Sequence, residues 1–302
     1  MTDASHRSGF VALVGRPNVG KSTLLNALLE RKLSIVTPKP QTTRHRILGL
    51  LNRPNYQIAL VDTPGLHLGG KRMLNSVMNR TAASSLADAD LVAFVVEALR
   101  FTEEDEAVLQ RIKHLELPTV LIVNKVDRAH PRERLLPFIA DLSALHPFVD
   151  VIPLSALKHS NLQALPEVLA KHLPEAPPMF PPEQITDRSE KFRTAEIIRE
   201  KLTVRLQQEL PYGLSVEIER MADTEDGRLE IHAIIWVERE GQKAIVIGEK
   251  GSLLKEVGSS ARYDLNGLFG RRTHLVLWVK VKDNWADSAN ALRSFGYDGY
   301  EG

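Results

Sequence analysis

A chain of 302 residues exceeds what one ordinary hydrophobic core needs and points to about two domains. With 43% hydrophobic and 25% charged residues it reads as a soluble globular protein, without the cysteines of a disulfide or thiolate-metal framework and without an apolar run near the roughly 20 residues of a membrane-spanning helix, so the cytoplasm is the default expectation. A net charge of +1 excludes a nucleic-acid partner held by bulk charge alone, though not one held by a local basic patch.

In chain order, the first apolar run is FVALV at 10–14, and it hands over directly to GRPNVGKS. Gly15, Gly20, Lys21 and Ser22 stand at P-loop spacing, and the amphipathic stretch that starts at Lys21 reads as a helix. A strand leading through a glycine-rich loop into a helix N-terminus aims backbone amides at phosphate; the Lys21 ammonium reaches the β and γ oxygens, and the Ser22 hydroxyl suits Mg2+. A purely structural glycine turn is the competing reading. Further strand-like runs fall at 47–51 and 57–61, and the second ends in DTPG, which sets the Asp62 carboxylate beside the phosphates and Gly65 where a backbone amide senses the γ-phosphate.

A helix is expected from about Met73, a strand at 91–96, a helix from Glu103 and a strand at 119–123, which ends in NKVD. Asp127 offers two acceptors that match the N1 and N2 donors of guanine, a pair that adenine lacks. Lys125 lies along the purine face with its stem, and Asn124 ties the segment to the P-loop. After a helix from Glu133 and a strand at 149–154 come Ser155 and Ala156, placed to turn a backbone amide toward guanine O6, and a helix from about Asn161. The scattered histidines show no zinc spacing.

Prolines at 174, 177, 178, 181 and 182 then forbid regular helix and predict an extended connector, so the reading divides the chain into 1–173, a linker at 174–187 and a second domain at 188–302. There a long helix at 189–210, a hairpin of strands at 214–221 and 229–237, and a strand at 273–281 predict an α+β unit. Between them lies Gly248-Glu249-Lys250-Gly251. Its glycines let backbone approach a nucleic-acid strand and Lys250 meet phosphate, although a plain surface turn is the commoner meaning of GxxG. From Arg188 onward acidic side chains outnumber basic ones by one, so RNA binding has to rest on placement, with Lys250, Lys255, Arg262, Arg271, Arg272, Lys280 and Lys282 as candidates; the helix, hairpin and GxxG together resemble a KH domain, and that resemblance would add Ile245 and Ile247 beneath the bases. Trp236, Trp278 and Phe269 are assigned to the core.

With these motifs in this order, the chain resembles the Era family of ribosome-associated GTPases over nearly its whole length. The resemblance rests on the asparagine in GRPNVGKS, on PKPQTTRHRILGL at 38–50, and on a GTPase-like half followed by a GxxG half. It implies a mostly parallel α/β P-loop GTPase domain followed by an α+β type II KH-like domain, hydrolysis of GTP, and Mg2+ held by Ser22, Asp62 and a threonine of QTTRH, with Thr43 preferred over Thr42. Asn18, Val19, Gly20 and Thr23 would complete the phosphate loop. Asn18 either ligates K+, as in potassium-stimulated relatives, or only closes the loop by hydrogen bonding. Leu66 stands where small signalling GTPases carry a water-orienting glutamine, so no side-chain base is assigned.

For the second domain the resemblance implies RNA contact through Ile247, Gly248, Glu249, Lys250, Gly251 and Lys255, with small-subunit 16S-type rRNA near its 3′ end as partner during ribosome maturation. The expected protein is a monomer without a DNA partner, in the cytoplasm or partly peripheral at the inner face of the cell membrane. The alternative is a GTPase whose second domain docks a protein or membrane partner.

Overall fold

The apolar runs of the first half line up as six strands in the computed structural model, which describes residues 6–39, 42–64, 72–207 and 210–297. β1 (Arg7–Val14) leads to α1 (Lys21–Leu29), β2 (Ile47–Arg53), β3 (Tyr56–Asp62), α2 (Met73–Ala87), β4 (Leu91–Glu97), α3 (Glu103–Lys113), β5 (Thr119–Asn124), α4 (Leu135–Ser143), β6 (Asp150–Pro153) and α5 (Leu165–Lys171). The sheet order is β2-β3-β1-β4-β5-β6, parallel throughout except for the β2–β3 pair. Parallel strands are covered on both faces, which is why β4 and β5 read as continuous apolar runs rather than alternating ones. Val92, Phe94 and Val96 of β4 and Leu121 and Val123 of β5 share one core with Val108, Leu109 and Ile112 of α3. Ligand-binding loops in such a sheet gather at the carboxyl ends of the strands, and the P-loop, DTPG and NKVD all follow such ends here.

The second half builds α6 (Glu190–Arg205), β7 (Leu214–Asp223), β8 (Leu229–Val237), α7 (Glu240–Ile247), α8 (Ser252–Phe269), β9 (Thr273–Val281) and α9 (Ala289–Ser294). β7 and β8 form the antiparallel hairpin, and β9 lies parallel to β8 on its other side. Ile231, Ala233, Ile235 and Val237 alternate along β8 onto the face covered by Ile198 and Leu202 of α6 and by Val257, Ala261 and Leu265 of α8.

Three expectations are corrected. The helix expected at 189–210 stops at Arg205, because Leu206 turns extended and is almost fully buried against the core. Trp278 is not core: it is 56% exposed, and Trp236 is half-buried with its indole N–H donating to Glu217 at 2.8 Å. Strand parity is the reason. Even-numbered positions of β8 and β9 face away from α6 and α8, and Trp236 pairs with Lys280 and Ile234 with Trp278 on that face, where the Trp236 ring meets Phe295 after α9 at 6.0 Å; Phe269 does pack at the core margin.

Residues 174–187, the third case, are extended but not a free connector. The Leu50 N–H donates to the Ile185 carbonyl at 2.8 Å, Gly49 bridges to Thr186, Gln57 Oε1 accepts from the Met179 and Phe180 amides, and the Phe180 ring meets Phe10 edge-on at 6.1 Å. The first compact unit therefore runs to Asp187, comprising Met1–Ser34, Thr43–Gly70 and Met78–Asp187; the second comprises Ile35–Thr42, Lys71–Val77 and Arg188–Gly302. Within the second, Arg199 is held by Glu196 at 2.7 Å and donates to the Thr42 carbonyl, while the Val36 N–H donates to Glu200 at 3.2 Å.

Candidate nucleotide site and RNA-binding loop

The P-loop closes tightly over β4. A β-carbon on Gly15 would come within 2.3 Å of the Val95 carbonyl oxygen, so only glycine fits, and Gly20 in left-handed conformation caps α1. Lys21 is buried and donates from Nζ to the carbonyls of Gly15 at 2.8 Å and Arg16 at 3.0 Å, which curls its stem along the loop. Burial brings its ammonium down to about 8, against the pull of the Asp62 charge, and a nearby phosphate charge would push it back up. Val19 is fully buried, Thr23 is half-buried on the first turn of α1, and Asn18 is exposed in left-handed backbone, its carbonyl accepting from Lys125 Nζ at 2.7 Å.

Ser22, Thr43 and Asp62 converge. Ser22 Oγ donates to Asp62 Oδ2 at 2.7 Å and lies 2.9 Å from Thr43 Oγ1, which is itself 3.4 Å from the same carboxylate oxygen. Thr42 points elsewhere, bonding Thr37 at 2.6 Å and the Lys39 carbonyl at 2.7 Å. Ser34, which sequence reading missed, also donates to Asp62 Oδ2, at 2.9 Å. The Asp62 carboxyl is fully buried, and burial raises its affinity for a proton against the Lys21 charge and the three hydroxyl donors. Its Oδ1 is buried without a hydrogen-bond partner. A hard-oxygen cluster with one orphaned carboxylate oxygen fits the Mg2+ expected there. Gly65 and Leu66 lie outside the described residues.

The base-reading end is wired to the same loop. Asn124 donates from Nδ2 to the Val19 carbonyl at 2.9 Å, and its Oδ1 accepts from the amides of Lys125 at 2.8 Å and Ala156 at 3.0 Å. The Ala156 amide, expected to face guanine O6, is thus engaged with Asn124. Ser155 donates to Asp127 Oδ1, which fixes the carboxylate that would meet guanine. A buried network that sequence reading missed adds rigidity: Arg16 donates to Asp105 at 2.9 Å and to Glu97 at 2.8 Å, and Lys125 reaches Glu97 at 3.1 Å. Glu97 lies below the usual carboxylate range because bonds from Arg16 and Lys125 outweigh its desolvation. Nothing local signals these pairs, since Asp105 stands 89 residues from Arg16.

In the second unit, the GEKG segment bridges α7 and α8. Gly251 caps α8 at φ 80°, and Lys250 takes φ 48°. Glu249, Lys250 and Lys255 are exposed, Ile245 is 56% exposed and Ile247 is half-buried, so the loop presents cations and apolar surface side by side. A single strand of RNA needs both: cations for its phosphates and an apolar floor for its bases. Of the other candidates, Arg271 is paired with Asp223 at 2.6 Å, and Lys280 and Lys282 lie over the Trp236 ring at 5.9 and 5.8 Å.

Comparison with known proteins agrees with this geometry. Residues 10–125 match the family described as 50S ribosome-binding GTPase, and residues 209–286 match the KH domain family. The chain is 52% identical over 289 residues to the GTPase Era of Yersinia pestis (strain Pestoides F), covering 96% of this chain and 95% of that one. Among solved structures, a variant of Aquifex aeolicus Era bound to GDP and AlF4− is 41% identical with a TM-score of 0.92, covering 96% of this chain and 99% of the other. An Era complex with MgGDPNP and nucleotides 1506–1542 of 16S ribosomal RNA is 41% identical with a TM-score of 0.93, covering 97% and 99%.

Proposed function

Because the chain belongs to the Era family of GTPases, whose members it matches across nearly its whole length, we propose that it is a GTP-hydrolysing switch that binds small-subunit rRNA near its 3′ end and assists maturation of that subunit. The observation that carries the reading is Asn124, which binds the P-loop through Val19 and the Ser155-Ala156 turn through Ala156. One side chain thereby fixes the phosphate-binding and base-reading elements relative to each other.

In this proposal Lys21 and the loop amides hold the β and γ phosphates, and Asp127 selects guanine. Ser22, Thr43 and Asp62 would hold Mg2+, which when bound neutralises charge on the β and γ oxygens. A catalytic role is proposed for Gly65 on its motif alone, and K+ at Asn18 is a further proposed ligand. No described side chain is assigned as general base. The RNA is held by Ile247, Gly248, Glu249, Lys250, Gly251 and Lys255; the relative solved with 16S rRNA carries the same architecture. The protein is proposed to act as a monomer in the cytoplasm; among the described residues no helix is long and apolar enough to cross a membrane.

The test is binding to purified small ribosomal subunits in GTP, GDP and nucleotide-free conditions, with crosslinking and matched free-RNA controls. Crosslinks at Gly248–Gly251 to rRNA near the 3′ end are expected. Retained protein or vesicle binding without any RNA crosslink would replace the proposal with a docking role for the second unit, including peripheral attachment to the membrane.

A further inference from the structure

Helix α8 carries charge in an ordered way. Its two carboxylates point toward α6, where Glu256 pairs with Arg205 at 2.8 Å and Asp264 with Lys201 at 2.5 Å. Lys255, Ser259, Arg262 and Asn266 follow one another at spacings of four, three and four, which places them on one helix face. That face starts beside GEKG, and its last member, Asn266, stands 14 residues after Ser252 in α8, so the far end of the face lies about 21 Å along the helix.

At the far end it opens into a cleft of about 450 Å³ lined by Arg228, Arg262, Asn266, Arg272 and His274, with Asp226 as the one carboxylate in the lining. Asp226 is matched by Arg228, whose guanidinium holds its carboxyl well below the usual carboxylate range, so one negative and one positive charge cancel. The neighbouring Asp223 is taken by Arg271. Arg262 and Arg272 are exposed and make no ion pair with the carboxylates among the described residues. Asn266 is fixed at the cleft floor by the Thr273 amide at 2.7 Å. Two planar guanidinium forks in a polar recess, with the nearby acids already neutralised, are suited to phosphate oxygens.

We propose that this arginine cleft is a second RNA-backbone site, taking phosphates of the strand that continues from the GEKG loop along the α8 face. The inference rests on the RNA-binding reading above and adds a contact beyond the KH groove. The cleft reads no sequence; it lengthens the footprint and raises affinity through charge.

The test compares an RNA of about four nucleotides, the length that a KH groove clamps, with the same RNA extended at both ends to about twelve, each titrated across a salt series. For the double variant Arg262→Gln/Arg272→Gln, short-RNA affinity and the thermal melt should match wild type. Affinity for the extended RNA should fall on the order of ten- to hundredfold at low salt, and its log–log salt slope should shrink by about 1.4, two single-strand phosphates' worth. Arg262→Lys/Arg272→Lys should recover most of the slope, and Arg271→Gln, which removes a guanidinium already matched by Asp223, should change neither. Unchanged affinity and slope for the extended RNA in the Gln double variant, with wild type binding both RNAs, overturns the cleft; wild type binding neither RNA overturns the RNA reading itself.

Discussion

The nucleotide site and the GEKG loop are built on opposite principles. At the nucleotide end the decisive groups are buried and already committed to one another: Asp62 and Asp105 are fully buried, Lys21 and Asn124 nearly so, and each has named partners. At the GEKG end the decisive groups are exposed, and the loop relies on left-handed backbone and local charge. A small ligand with a fixed shape rewards a rigid site whose dipoles are aligned in advance. A flexible polymer is held by distributed contacts, each weak and sensitive to salt. Damage should therefore be concentrated and severe at one end, graded and screenable at the other.

The largest expected effect is at Lys21. Lys21→Ala should lower single-turnover GTP hydrolysis by at least about a hundredfold, the usual cost of one charge-stabilising donor, with the fold retained; Ser22→Ala should follow it. Hydrolysis within a few-fold of wild type at saturating nucleotide would mean that charge at the γ-phosphate is supplied elsewhere.

Next comes Arg16, whose removal leaves the fully buried Asp105 without a cation and Glu97 with Lys125 alone. Arg16→Ala should cost about 3–5 kcal/mol of stability in urea unfolding, as for other broken buried pairs. A loss below about 1 kcal/mol, the scale of an exposed pair, would place the network at the surface in energetic terms.

Base choice follows. Asp127→Asn should weaken GTP binding by about ten- to hundredfold, the cost of mismatching one or two donors, and shift preference toward XTP, read by equilibrium competition.

The smallest effect is expected at Gly251, where a β-carbon would meet nothing within 4 Å, so only the φ of 80° opposes substitution. Gly251→Ala should cost about 1–2 kcal/mol of local stability, and Gly251→Asp should weaken RNA binding further by a margin that vanishes with salt. Equal RNA affinities for wild type and both variants at every salt concentration, with intact melts, would remove the loop from the RNA contact.

The nucleotide motifs were legible because each is a short local string placed directly after an apolar strand, and a parallel sheet gathers such strand ends. Thr43 was preferred over Thr42 by resemblance, and the geometry separates the two by their partners. Ser34 and the Arg16–Glu97–Asp105 network were not legible, since ion pairs and hydroxyl contacts between distant residues leave no periodic trace. The exposure of Trp278 depended on which face of the sheet the helices cover, a tertiary fact that alternation alone leaves open. The end of α6 at Arg205 was set by burial of Leu206 rather than by a breaker residue, so a propensity-based boundary overran it.

The docked strap at 174–187 has a consequence for solubility. β2 is one of the two edge strands of the sheet, and the strap occupies its free edge through Leu50, Gly49 and the Thr186 hydroxyl bonded to the Leu48 carbonyl at 2.6 Å. An uncovered edge of this kind is a template for pairing with another chain. Cutting the first unit at Leu173, the natural choice if the proline segment were only a tether, should yield material that self-associates on gel filtration, whereas cutting after Asp187 should yield a monodisperse species.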